Sequence, residues 1–227
     1  MIKQIEGGVC AAKGYTAGGI YCGIRKRNDK NDLALIFSKV PAHAAAVYTT
    51  NLVKGAPLTV TKQHIADGIA QAVICNSGNA NTCNSDGLEI AEKMSALAAE
   101  QLGISPRDVI VASTGVIGQK LNITPVADHI GELAAALSPE GEDEAAKAIM
   151  TTDLVMKKIA VEFVIDGKVC RLGGHRQRQR HDPSQHGYHA GIPYYRCSHF
   201  CPHAAESSES RCAENVQYAQ RRRGHLN

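Results

Sequence analysis

The fold class is decided by residues 70–115, which read AQAVICNSGNANTCNSDGLEIAEKMSALAAEQLGISPRDVIVASTG. Two short apolar runs, at residues 70–75 and 109–112, have the length and composition of buried strands. Between them apolar residues recur at helical spacing, after a polar capping pair at residues 85–86, and Gly103 is placed to end the helix. The segment therefore predicts a strand, a helix and a second strand in succession.

The same alternation extends to both sides of this unit. Glycine-rich turns and short strands are expected in the first 30 residues. Apolar runs predict further strands at residues 33–37, 44–48, 158–165 and 168–172, with Asp166-Gly167 as a hairpin turn. Proline and acidic start signals predict helices at residues 57–65, 124–137 and 139–150. Strands and helices thus alternate up to Gly174, which predicts a mixed α/β protein.

The composition of the chain changes at Gly174. Residues 1–174, called the body below, contain every lysine and have 17 basic and 18 acidic side chains, a net charge of −1. Residues 175–227, called the tail, have eight arginines, no lysine and a net charge of +4. The tail follows neither a helical nor a strand period, so we predict that it is irregular and disordered.

Composition also limits the kinds of partner. A nearly neutral body gives no reason to expect nucleic acid or a membrane surface as a partner. No stretch approaches the roughly 18 apolar residues of a membrane span, and the N-terminus has no apolar signal core, so a cytoplasmic protein with reduced cysteines is expected. The cysteines of the body are widely spaced and lack a C-x-x-C pair, which predicts no metal site there.

Three polar clusters in the body could carry chemistry. Ser113-Thr114-Gly115 ends a predicted strand, where backbone N–H groups and a hydroxyl can stabilise an oxyanion; the alternative is an ordinary turn. Thr151-Thr152-Asp153 follows a predicted helix and could hold a substrate amine or carboxylate, or could bond only locally. The three amides of Asn76 to Asn81 form a predicted turn cluster that is either loop structure or the lining of a polar site.

The tail offers a different hypothesis. Cys197, His199, Cys201 and His203 alternate at a spacing of two, which is unusual for a tetrahedral zinc site. Residues 221–223 are three arginines that could contact phosphate. The alternative function is therefore a non-catalytic binding module that uses this basic Cys/His segment for zinc or nucleic acid.

Five motifs of the body, in this order, resemble the ornithine acetyltransferase family, the bifunctional glutamate N-acetyltransferases of arginine biosynthesis. The resemblance covers residues 1–174. The motifs are Gly7-Gly8-Val9 with Lys13-Gly14-Tyr15, Tyr48-Thr49-Thr50-Asn51, Asn76-Ser77-Gly78-Asn79-Ala80-Asn81, Ala112-Ser113-Thr114-Gly115-Val116-Ile117-Gly118 and Ile149-Met150-Thr151-Thr152-Asp153.

The resemblance implies an activity and site residues. Family members move an acetyl group from N-acetylornithine to glutamate through an acyl-threonine, and some also use acetyl-CoA; no cofactor is implied. The precursor cuts itself before that threonine and assembles from two α and two β chains. Thr114 and Gly115 match the oxyanion hole, and Thr151 matches a substrate contact. The implied fold is layered, with helices packed outside sheets.

The tail departs from the family. After Gly-Gly the family continues with a substrate-binding lysine, a Gly-Ser-Gly turn and a Pro-Asn-Met-Ala-Thr segment that ends in the nucleophile. Here the chain reads His175-Arg176-Gln177, and Tyr188-His189 falls where the nucleophile belongs. The family lysine and the family threonine are both missing.

A shift of reading frame accounts for the departure. Codons permitted for the residues from His175 onward, read one base later, give Ile-Ala-Lys-Gly-Ser-Gly-Met-Ile-His-Pro-Asn-Met-Ala-Thr-Met, which is the missing family segment. We therefore expect a one-base insertion near Gly174, an inactive product without a nucleophile, and apolar surface left exposed on the body.

Overall fold

The computed structural model of the protein describes residues 2–26 and 30–177. In this part of the chain the strands form a four-stranded sheet of order β2-β3-β4-β5 and a three-stranded sheet of order β1-β6-β7. The strands are β1 Lys3–Ile5, β2 Tyr15–Ile20, β3 Leu33–His43, β4 Ile69–Asn79, β5 Val109–Val116, β6 Lys157–Ile165 and β7 Lys168–Arg176. The helices are α1 Ala56–His64, α2 Gly87–Leu102, α3 Thr124–Ala135 and α4 Glu142–Ala148.

The strand–helix–strand unit predicted from residues 70–115 is confirmed. β4 and β5 pair in parallel, with Cys75 opposite Ala112 and Asn76 opposite Ser113. Helix α2 connects them, and Gly103 ends it in the left-handed conformation that glycine adopts without strain. Because the two strands are parallel, their carboxyl ends lie at the same edge of the sheet.

Helices cover both faces of the four-stranded sheet. On one face, buried side chains of β3, β4 and β5 pack against α1, α2 and α3, with Met94 of α2 and Leu133 of α3 fully buried. On the other face, Ile36 and Val73 pack against Ala145 and Ala148 around α4. The predicted α/β class and its layered arrangement, with helices outside the sheet, are confirmed.

Two predictions for the strands were wrong. The predicted turn at Asn76 is the end of strand β4, which continues to Asn79 because β5 pairs with it over this length. Residues 44–48 form no strand, because β3 ends at His43, opposite Ile69 at the start of β4. The pairing continues only as one hydrogen bond of 2.7 Å, from the Ala44 N–H to the Gly68 carbonyl. A strand needs a neighbour for its backbone hydrogen bonds, and a local apolar run does not supply one.

Helix boundaries show how tertiary contacts override local signals. The helix predicted at residues 139–150 begins at Glu142 instead of residue 139, because Ser138 exchanges two backbone hydrogen bonds of 3.0 Å with Ala17 of β2. Asp86 occupies the N-cap position of α2 as predicted, but its side chain makes no capping bond. Its carboxylate lies 3.5 Å from the Lys120 ammonium instead.

The three-stranded sheet contains the predicted hairpin. Asp166 and Gly167 both have positive φ angles, 49° and 75°, as a two-residue hairpin turn requires. β7 extends two residues beyond Gly174, with His175 opposite Lys158 and Arg176 opposite Lys157.

Most of the tail lies outside the described residues. Beyond Gln177 that part includes the rest of the tail predicted to be disordered from residue 175, the Cys197 to His203 ladder, the arginines at 221–223 and the nucleophile position at Tyr188 and His189. His175 and Arg176 are described, and they lie in β7 instead of the irregular structure predicted for them. Among the residues that are described, no helix is both long and apolar enough to cross a membrane. The same residues include no group of three or more His, Cys, Asp or Glu side chains arranged to hold a metal ion.

Candidate active site

The motif Ser113-Thr114-Gly115 lies at the carboxyl end of β5. Ser77 and Gly78 of β4 are its register neighbours, opposite Thr114 and Gly115. Thr114 and Gly115 are half-buried, and within the described part of the chain the Thr114 hydroxyl makes no hydrogen bond. A hydroxyl without a protein partner at a strand end is available to donate to a ligand.

Two glycines meet without intervening side chains at this edge. Gly115 has φ of 137°, and a Cβ added to it would lie 2.3 Å from the Gly78 carbonyl carbon and 2.6 Å from the Asn79 nitrogen. Gly78 has φ of 102°. Both positions combine a backbone conformation that favours glycine with contacts that leave no space for a methyl group. The two backbones are therefore held in direct contact.

The asparagine cluster next to this edge holds the loops in place. Asn79 Nδ2 donates to the Gln119 carbonyl over 2.9 Å, while its Oδ1 accepts from the Asn81 N–H over 2.7 Å. Asn81 Nδ2 donates to the Gly87 carbonyl, which connects the loop to the start of α2. Of the two alternatives for this cluster, these contacts favour loop structure.

A second chain segment reaches the same edge from α4. The Ser77 hydroxyl donates to the Ala148 carbonyl over 2.6 Å. Arg25 Nε donates to the Ser77 hydroxyl over 3.1 Å, and its Nη2 donates to the Met150 carbonyl. Met150 directly precedes Thr151, so the Thr151 segment is connected through Ser77 and Arg25 to the strand that lies beside Thr114.

Thr151 itself contacts the beginning of the tail. Its hydroxyl accepts a hydrogen bond of 2.9 Å from Gln177 Nε2. Two residues further on, the Asp153 carboxylate is almost fully buried and lies 2.5 Å from the Lys157 ammonium. Asp153 and Met150 also line an open cleft of about 460 Å³, whose other lining residues are Lys30, Asn31, Glu144, Lys147 and Leu154. The cleft wall contains both signs of charge.

The thiols of Cys22 and Cys10 are held in their neutral form. Burial, followed by the Asp32 carboxylate, raises the pKa of the Cys22 thiol from 9.0 to about 12. Burial, followed by Glu142 and Glu140, raises the pKa of the Cys10 thiol to about 12. The thiolate is the reactive form of cysteine, and at neutral pH it is negligible for both thiols.

Sequence reasoning had singled out Thr114, Gly115 and Thr151, and the contacts connect these three through Ser77 and Arg25. Neither the Arg25 contacts nor the Gln177 bond was anticipated. Arg25 is 52 residues from Ser77 and 125 from Met150 along the chain, and no local pattern marks such pairs.

Fold and site together define a layered α/β protein with a hydroxyl and a glycine backbone pair at the ends of two parallel strands. Comparison with protein families matches residues 16–177 to the ArgJ family model. The chain belongs to the ArgJ family, which confirms the resemblance drawn from its motifs.

Similar proteins of known sequence are arginine biosynthesis bifunctional proteins ArgJ. The protein from Symbiobacterium thermophilum is 48% identical over 174 residues, which cover 76% of this chain and 43% of that protein. The protein from Thermosynechococcus vestitus is 47% identical over 174 residues, with 76% and 41% covered. The chain thus spans less than half the length of these curated relatives.

Two solved structures are similar to the whole described fold. The arginine biosynthesis bifunctional protein ArgJ of Bacillus halodurans has a TM-score of 0.74 at 38% identity, covering 83% of this chain and 97% of that one. The ornithine acetyltransferase of Mycobacterium tuberculosis, solved in complex with ornithine, has a TM-score of 0.73 at 33% identity, covering 79% and 96%.

Proposed function

We propose that the body is the acyl-binding part of an acetyltransferase that moves an acetyl group from N-acetylornithine to glutamate in arginine biosynthesis. The observation that carries this proposal is the Thr114 hydroxyl, which has no hydrogen-bond partner among the described residues and lies beside the Gly115–Gly78 contact. Family membership and the ornithine complex of the Mycobacterium tuberculosis relative support the substrate class. As in the family, acetyl-CoA is a further candidate acetyl donor.

Thr114 and Gly115 are the proposed oxyanion site. In the proposed reaction a threonine hydroxyl attacks the acetyl carbonyl, passes its proton to a base such as its own α-amine or a water, and the carbonyl oxygen becomes negative. The Thr114 hydroxyl and the Gly115 N–H would donate to that oxygen, and each such donor is worth roughly 3–4 kcal/mol in the transition state. A fixed glycine pair keeps the backbone donor in place before the charge develops.

The remaining steps transfer the acetyl group. Collapse of the tetrahedral intermediate breaks the amide C–N bond, and the ornithine amine leaves with a proton. The acyl-threonine ester is then attacked by the glutamate α-amine, which forms N-acetylglutamate and returns the proton to the threonine oxygen. Thr151, at the start of the segment that follows α4, is proposed as a substrate contact.

We propose that this chain does not complete the reaction. Gln177, which bonds to Thr151, stands after Gly-Gly where the family has a substrate-binding lysine. A neutral amide cannot pair with a substrate carboxylate as an ammonium does. The nucleophile position falls at Tyr188 and His189, neither of which is a threonine. A shift of frame near Gly174 would account for both replacements, and with them for the change in composition from residue 175 onward.

The proposal is tested on the gene and on the protein. The coding sequence across Gly174 should yield the family segment when it is read one base later. The chain as it stands should show no acetyl transfer from N-acetylornithine to glutamate, whereas deletion of one base should restore turnover and assembly into cut α and β chains. Turnover by the uncorrected chain, or a coding strand that cannot encode the segment, would refute the frame shift.

One substitution tests the oxyanion role directly. In the frame-corrected enzyme, Thr114→Val should lower kcat by about 10²- to 10³-fold, because it removes one donor to the oxyanion. Thr16→Val on β2 is the matched control and should leave kcat unchanged. A Thr114→Val enzyme with ordinary kcat would exclude this threonine from the oxyanion site.

A further inference from the structure

Arg25 lies in the connection between β2 and β3, and its backbone is held in place by two contacts. Its N–H donates to Asp32 Oδ2 over 2.8 Å, and its carbonyl accepts from the Tyr21 hydroxyl over 3.0 Å. Asp32 is completely buried, and its other carboxylate oxygen accepts from the Cys22 N–H over 2.7 Å. A buried carboxylate with two backbone donors thus fixes the point from which the Arg25 side chain extends.

The Arg25 side chain touches three parts of the candidate site. Its stem lies on Gly78, because a Cβ built on that glycine would come within 2.9 Å of Arg25 Cγ. Its guanidinium donates to the Ser77 hydroxyl and to the Met150 carbonyl. Gly78 is itself in contact with Gly115. A single side chain therefore lies against the glycine pair on one side and the Thr151 segment on the other.

We propose that Arg25 is a positioning residue that sets the placement of Thr114 and Gly115 relative to Thr151. The planar guanidinium suits this role because its donors have fixed directions, so it can hold two acceptors at a set separation. Hydrogen bonds from a charged donor are also stronger than those between neutral groups. The inference rests on the proposed function for the meaning of the site, but the coupling itself requires no substrate.

The test uses the full 227-residue chain and a readout at the site. Amide chemical shifts and hydrogen exchange of Thr114, Gly115 and Thr151 are measured by NMR in the parent chain and in Arg25→Met, which keeps the stem and removes the donors. We expect shifts at all three amides and about tenfold faster exchange in the variant, as expected for the loss of a charge-assisted hydrogen bond. Arg171→Ala, which removes an exposed arginine paired with Glu162 on the other sheet, is the control.

Two further variants separate positioning from general stability. In Arg25→Ala, added methylguanidinium should return the three amide shifts toward the parent values, which a nonspecific loss of packing would not allow. Ser77→Ala removes only the hydroxyl between Arg25 and Ala148, and it should shift the Thr151 amide. Unchanged amide shifts in Arg25→Met would overturn the inference. If Arg25→Met does not fold, an unchanged Thr151 amide shift in Ser77→Ala would overturn it instead. Failure of the acetyltransferase proposal would appear separately, as absent turnover in the frame-corrected enzyme.

Discussion

At the residue scale, the site depends on positions where no side chain fits. Gly115 and Gly78 are in contact through their backbones, and each has a φ angle that other residues avoid. The motif that contains Gly115 was recognisable from the sequence because Thr-Gly follows a buried strand. The contact with Gly78 could not be predicted, because the sequence places Gly78 in a turn. Only the parallel pairing of β4 with β5 brings the two glycines together.

The contact between the glycines predicts a large difference between two similar substitutions. Gly115→Ala should lower the free energy of unfolding by about 3 kcal/mol or more, because the new methyl group overlaps the Gly78 backbone in a strained conformation. Gly118→Ala is the control, since Gly118 also has positive φ but has no atom within 4 Å of its Cβ position. It should lower stability by only about 1 kcal/mol. Denaturant unfolding measures both, and equal losses would contradict the contact.

The raised thiol pKa of Cys22 predicts a loss of stability at alkaline pH. The folded thiol has a pKa of about 12 against an ordinary 9.0, so the folded state favours the neutral form. This stabilisation is complete below pH 9 and is lost as the pH rises from 9 toward 12. Cys22→Ala should flatten the fall in unfolding free energy over that range. The exposed Cys83 provides the control, and a Cys83→Ala variant with the same flattening would rule out Cys22 as the cause.

At the scale of elements, the sequence predicted those helices and turns that depend on neighbouring residues in the chain. The apolar face and glycine stop of α2 and the Asp166-Gly167 hairpin follow from spacing and turn chemistry, and the structure has them where expected. The errors came from long-range pairing. Residues 44–48 resemble a strand but lie beyond the end of the β3–β4 pairing, and Ser138 is held by Ala17, a contact that no sequence window includes.

Glu142 connects three elements and gives a prediction at this scale. Its Oε2 accepts the Gly8 N–H over 2.6 Å and the Cys10 N–H over 3.3 Å, and its Oε1 lies 3.2 Å from the Lys158 ammonium. Glu142→Ala would leave these donors without their acceptor, and we expect a loss of about 2 kcal/mol in unfolding free energy. The matched variant Glu140→Ala removes an exposed carboxylate two residues earlier and should change the unfolding free energy little. Similar thermal midpoints for the two variants would contradict a stabilising role for the Glu142 contacts.

At the scale of the whole molecule, the three-stranded sheet leaves an apolar face uncovered among the described residues. Alternate residues of β6 lie on that face, including Ile159 and Ile165, which are 55% and 48% exposed. The opposite face is buried only around Ala160 and its partner Gly173, which lies against Gly8. Exposed apolar side chains therefore lie on β6, a location that could not be read from the sequence.

This surface predicts poor solubility of the chain. A double variant, Ile159→Thr with Ile165→Thr, should increase the soluble fraction on expression and reduce binding of a hydrophobic dye, with little change in thermal midpoint. The control replaces Ile74 and Leu35, which are buried in the core, with threonine and should destabilise the protein instead. Unchanged dye binding in the surface variant would show that aggregation starts elsewhere.

The β6–β7 hairpin shows that backbone pairing depends little on the residue types along a strand. β7 stays paired with β6 across His175 and Arg176, beyond the point where the chain's composition changes. Every residue type except proline carries the same backbone donor and acceptor, so the pairing of two strands can continue when the side chains change. A catalytic site, in contrast, requires a particular side chain at each functional position. The proposed change of reading frame near Gly174 lies inside β7, and the backbone pairing of this strand therefore continues past it.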